Sequence, residues 1–188
     1  EMMKVNKQLL FYVMAGVMMV SFTRLNINAE TKTKEVKRVE KIVAEDLPMS
    51  RRMAESIMVR CPHLFMVDFD YPKWAYVPGL VGKGMIDLWK KTGEKKYYEY
   101  VKAYADTIID DDGVIHGEYK IDHFNIDNIN SGKVLFDFYR ETQNEKYKKA
   151  IFTLRKQLEW MPRTTEGGFW HKRIYPWQMW LDGIYMGS

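Results

Sequence analysis

A single cysteine, Cys61, stands among 188 residues, so no intrachain disulfide can form and no cysteine follows the N-terminal apolar run to accept a lipid. Charge of one sign is also scarce. The 29 basic and 25 acidic residues leave a dispersed net charge of +4, which excludes the electrostatic footprint of a nucleic-acid binder. No apolar run reaches the ~20 residues a membrane-spanning helix needs. No stretch alternates apolar and polar residues for long enough to demand a sheet. The run Asp110, Asp111, Asp112, Gly113 lacks the ligand spacing and terminal glutamate of a calcium loop, and reads as a surface turn. What is present is 46% hydrophobic, 14% aromatic and 29% charged, a composition that gives one globular domain with a sizeable core.

Residues 1–29 have the anatomy of a signal peptide. Lys4 and Lys7 precede the apolar run LLFYVMAGVMMVSF, and a polar stretch follows that ends in the small Ala29. The expectations are a start at Met2 or Met3, cleavage after Ala29, a mature domain over 30–188 and a periplasmic or secreted location without stable membrane association.

Laid over itself at an offset of about 50 residues, the chain repeats. Gly82, Lys83, Asp87, Thr92 and Tyr97 fall on Gly132, Lys133, Asp137, Thr142 and Tyr147. In each unit a Gly or Asn soon after the threonine breaks the chain into two helix-length segments, so the unit is a helical hairpin. Tyr97, Val101, Tyr104 and Ile108 form one apolar stripe at helical spacing, repeated by Tyr147, Ile151, Leu154 and Leu158. An earlier helix is expected over SRRMAESIMVR, capped by Ser50 and ended by Pro62. The fold class is all-α. A third unit begins near Asp182, where the sequence stops, so the array is expected to be cut short.

In a ring or solenoid of hairpins, the loops before equivalent helices lie at one end. Three such loops bring Trp74, Tyr76, Asp122, His123, Asp127, His171, Trp177, Trp180 and Asp182 to one rim. Rings beside carboxylates suit a carbohydrate, whose C–H faces stack on aromatics while acids handle the hydroxyls and the glycosidic oxygen. Each residue also has a plainer reading. Trp74 and Tyr76 could plug the core, the histidines could be structural, and Asp127 could simply cap a helix beginning near Ile129. Asp182 stands where the repeat carries glycine. Held among Met179, Trp180 and Tyr185 it would be poorly hydrated, which favours the neutral acid and suits a proton donor.

The segment PRTTEGGFWHKRIYPWQMWLDGIYM resembles the signature of glycoside hydrolase family 105, the unsaturated rhamnogalacturonyl hydrolases, and DHFNIDNINSGKVLFDFYRETQNEKY is similar to that family as well. The resemblance runs from about residue 50 to the last residue. It implies an (α/α)6 barrel of which this chain carries about the first half. It also implies removal of a terminal 4,5-unsaturated galacturonate from rhamnogalacturonan oligosaccharides, with no metal or organic cofactor. By resemblance Asp182 in WLDG is the general acid and base, Asp127 in NIDNI assists it, and Trp180 and His171 contact substrate. Trp74 and Tyr76 extend the substrate contacts from the rim alone. The alternatives are an unsaturated glucuronyl hydrolase of the family 88 type and a non-catalytic sugar-binding fragment.

Overall fold

The computed structural model describes residues 31–33 and 46–188, so the expected signal peptide at 1–29 lies outside the described residues. The chain divides into a unit ending at Leu47 and a unit from Pro48 to Ser188. In the first, residues 31–33 are helical and exposed. The second holds the hairpins and the candidate site.

Helix α1 spans Met49–Arg60 and stops at Cys61, just before Pro62. Ser50 does not cap it. The cap position is Pro48, whose ring fixes the extended entry, and no side chain bonds the first turn. The first hairpin pairs α2 (Tyr76–Thr92) with α3 (Lys95–Ile108), and Gly93 closes α2 in the left-handed conformation at φ 75°. In the second hairpin, α4 (Asp127–Ser131) runs through a tighter turn at Gly132–Val134 into α5 (Leu135–Thr142). Gln143, also left-handed, turns the chain, and Asn144 accepts the Lys146 N–H to cap α6 (Glu145–Trp160). Helix α7 (Asp182–Gly187) opens where the repeat predicts a third unit. Among the described residues strand structure is limited to two isolated bridges, Ile109 with Ile115 and Arg163 with Phe169. None of the described helices is long and apolar enough to cross a membrane.

The stripe Tyr97, Val101, Tyr104 and Ile108 is buried, as its spacing predicts. The second hairpin covers the first. Tyr98 meets Phe138 edge-on at 5.4 Å, Lys90 pairs with Asp137 at 2.6 Å, and Asp106 accepts the Tyr147 hydroxyl at 2.5 Å beside Lys146 at 2.8 Å. On the far side of the second hairpin, a groove of about 570 Å³ is lined by Phe136, Ile151, Phe152 and Leu158 and edged by Lys133, Lys148 and Arg155. In the repeat register Phe136 corresponds to Ile86. Ile86 is 0% exposed, whereas Phe136 is 56% exposed.

The loops before α2, α4 and α7 converge as the repeat requires. Trp74 donates its indole N–H to the Asn128 carbonyl at 2.9 Å, and the Ser131 hydroxyl reaches the Ala75 carbonyl at 2.5 Å. On the other side, Ile126 N–H donates to the His171 carbonyl and Arg173 N–H to that of His123, both at 3.0 Å. Two hydrogen bonds thus tie the first loop to the start of α4, and two tie the second loop to the third, at one end of the hairpin array.

Candidate active site

Asp127 is the first residue of α4 rather than its cap, since the helix begins two residues earlier than expected and Ile126 takes the cap position. Its N–H donates to the Asn125 side chain at 3.1 Å, and Gln157 of α6 donates to the Asn125 carbonyl at 2.8 Å. Helix α6 therefore holds the turn that aims Asp127. Freed from capping, the carboxylate pairs with Lys172 at 2.7 Å and lies 3.5 Å from His171 Nε2.

His171 occupies the loop before α7, with its N–H on the Gln178 carbonyl at 2.7 Å. Its ring stacks on Trp180 with centroids 4.0 Å apart and planes 10° apart, and Trp180 in turn meets Tyr175 at 5.3 Å. Asp182, opening α7, places a carboxylate oxygen 3.9 Å from His171 Nδ1. The facing atoms of Asp127, His171 and Asp182 all lie within 4.8 Å of one another. The two aspartates are thus brought together as expected, with an imidazole between them. The only ammonium paired with this trio among the described residues is Lys172.

Burial holds the His171 imidazole below its ordinary value of 6.5, against the upward pull of Asp127; Lys172 pushes it down further and Asp182 pulls it up. Several expected placements differ. His171 is 2% exposed, so its ring offers no open face to a substrate. Trp74 is likewise 2% exposed, stacks parallel to Tyr104 and spends its N–H on a backbone carbonyl. It plugs the core, because an indole at a helix entry buries more area than any other ring available there. Tyr76 opens α2 half-buried against the same core, outside the cavity beneath His171 and Trp180. Asp182 lies in a wetter setting than its aromatic neighbours suggest. Its side chain is 53% exposed, because Met179, Trp180, Leu181 and Tyr185 are themselves exposed.

Beneath the trio lies a cavity of about 160 Å³, lined by Ile126, Arg163, Phe169, His171, Trp180 and Gly183 among others. Arg163 rests on the Phe169 ring at 3.9 Å and donates to the Gly167 carbonyl at 2.6 Å. Trp177, 67% exposed, tilts against Trp170 at 4.9 Å. Asp122 and Arg173 pair loosely at 3.6 Å on the exposed edge. Asn125 and Gln157 escape a reading by motif, because their contact joins residues far apart in the chain and neither carries a reactive group.

Two carboxylates thus stand around a buried imidazole, flanked by exposed indoles, at one end of the hairpin array. Residues 49–188 match the family described as Glycosyl Hydrolase Family 88. A solved structure, a family 105 glycoside hydrolase from C. acetobutylicum ATCC 824, is 44% identical with a TM-score of 0.67 over 75% of this chain and 37% of that one. The chain belongs to the glycoside hydrolases of the family 88 and 105 group. It spans 37% of the length of that solved relative.

Proposed function

We propose that this chain carries the acid machinery of a hydrolase that removes a terminal 4,5-unsaturated galacturonate from rhamnogalacturonan oligosaccharides. The observation that carries the reading is the meeting of Asp127 and Asp182 around His171, within 4.8 Å, beside exposed rings. Asp182, the more exposed of the two acids, gives its proton to C4 of the vinyl ether. Positive charge then develops at C5 and is shared by the ring oxygen. Water bonds to C5 and returns a proton to the Asp182 carboxylate, which restores the acid. The resulting hemiketal opens by breaking the bond between C5 and the ring oxygen, and the sugar at C1 leaves. Asp127, paired with Lys172, remains anionic and stabilises the developing charge. Because the alkene is hydrated, the carboxylate separation that distinguishes retaining from inverting glycosidases does not apply. A periplasmic or secreted location, where lyase products arise, belongs to the same reading.

Hydration consumes the conjugated uronate, so its ultraviolet absorbance should fall when the protein meets lyase-treated rhamnogalacturonan. Absorbance that stays flat across pH overturns the proposal. Asp182→Asn keeps the shape but holds no acidic proton, and turnover should drop by at least the ~10² to 10⁴ expected of general acid catalysis. The match to family 88 favours one second reading, an unsaturated glucuronate from glycosaminoglycans as substrate. A panel of both unsaturated oligosaccharides separates the two by relative kcat/KM.

A further inference from the structure

His171 has no open face for a sugar, yet it is the group that both aspartates share. The residue is 2% exposed; its ring stacks on Trp180, while its backbone N–H donates to the Gln178 carbonyl and its carbonyl accepts the Ile126 N–H. Nε2 faces Asp127 at 3.5 Å, and Nδ1 faces Asp182 at 3.9 Å. Nδ1 is also one of the buried polar atoms that bond to nothing, although a buried orphan of this kind costs about 1–3 kcal/mol. Both separations exceed an ordinary hydrogen bond, as catalytic contacts often do before substrate closes the site.

The two nitrogens are unequal. Asp127 carries Lys172 on its other oxygen at 2.7 Å, so it stays an anion and accepts a hydrogen from Nε2. A neutral imidazole has only one hydrogen to give. Once Nε2 holds it, Nδ1 presents a bare lone pair, and the acid it faces among the described residues is Asp182.

We propose that His171 is a positioning residue for both acids, a neutral strut that donates from Nε2 to Asp127 and accepts from Nδ1 the hydrogen of protonated Asp182. That bond fixes the Asp182 carboxyl in the resting site and breaks when the hydrogen passes to C4 of the substrate. This rests on the hydrolase reading above. The charged groups facing the ring are Asp127 from α4, Asp182 from α7 and Lys172 from its own loop, with Arg163 across the cavity beneath. Burial, which opposes the imidazolium, keeps the ring available as an acceptor.

The assignment is tested first on the wild-type chain, without substrate, by nitrogen-15 spectra of labelled histidine. The His171 signals are identified by their loss in His171→Gln. Above neutral pH, Nε2 should carry the hydrogen and Nδ1 should be bare, and Asp127→Asn should mix the two tautomers. A ring protonated at Nδ1, or a mixture already present in the wild type, overturns the strut. With unsaturated oligosaccharide, His171→Gln keeps a donor near the Nε2 position and loses the Nδ1 acceptor. The expected result is a kcat lower by roughly 10- to 100-fold, within the range of proton-transfer help, with little change in KM. A raised KM at unchanged kcat would make His171 a substrate contact instead. If the wild type consumes no unsaturated uronate, the hydrolase reading fails, and the tautomer spectra still decide whether the ring bridges the acids.

Discussion

Trp74 shows how much a single side chain's direction decides. Its place in the loop before α2 puts it beside the second loop, as the repeat predicts, but its ring turns inward onto Tyr104. Trp74→Phe would fill most of the same space and leave the buried Asn128 carbonyl without its donor. The expected loss is about 1–3 kcal/mol in urea unfolding, with oligosaccharide affinity unchanged. A platform would show the opposite pattern. Asp127 and Asp182 were legible because the hairpin register places their loops together and because a carboxylate at a glycine position is unusual. The imidazole's burial was not legible, since it depends on Trp180 stacking over a loop that has no period of its own. The wet setting of Asp182 was missed for a related reason. Neighbouring apolar residues in sequence say nothing of which way each one faces.

At the scale of elements, the site is a property of how closely helices approach. Gly79 on α2 lies against Ser131 on α4, and a methyl group there would sit 2.6 Å from the Ser131 Cα. Since backbone cannot move aside cheaply, Gly79→Ala should separate α2 from α4. The expected cost is about 1–3 kcal/mol, read from the unfolding midpoint. Activity should fall further than stability alone explains, because the same helix opens with Asp127. The helix boundaries that sequence pattern found best were those with a stripe and a breaker, as in α3 between Gly93 and Ile109. The least legible was α4. There Asp127 looked like a cap, and only the Lys172 ammonium from a distant loop explains why its carboxylate turns away from the helix end.

Across the whole unit, the two hairpins carry equivalent faces in unequal states. The face of the first is sealed by the second, while Phe136, Phe152 and their neighbours line an open apolar groove with a cationic edge. An apolar dye with a sulfonate group should bind there, with its rings on the phenylalanines and its charge near Lys148 or Arg155. Fluorescence enhancement should be largely abolished in Phe136→Glu/Phe152→Glu at unchanged helical circular dichroism. Enhancement that persists undiminished would place the dye elsewhere. The repeat made this architecture readable, because residues about 50 apart share a register. The second stripe departs from the first: Tyr147 and Leu154 are buried, whereas Ile151 and Leu158 are half-buried on the open groove, because no further hairpin among the described residues covers them.

Trp180 and His171 lie face to face at 4.0 Å. Excited indole is quenched by electron transfer to an imidazolium and far less by the neutral ring. The stack therefore converts the proton count of one buried residue into light, and the difference between wild-type and Trp180→Phe emission isolates that signal from the other five tryptophans of the six in the chain. The site has a built-in lamp whose brightness follows its own acid–base state.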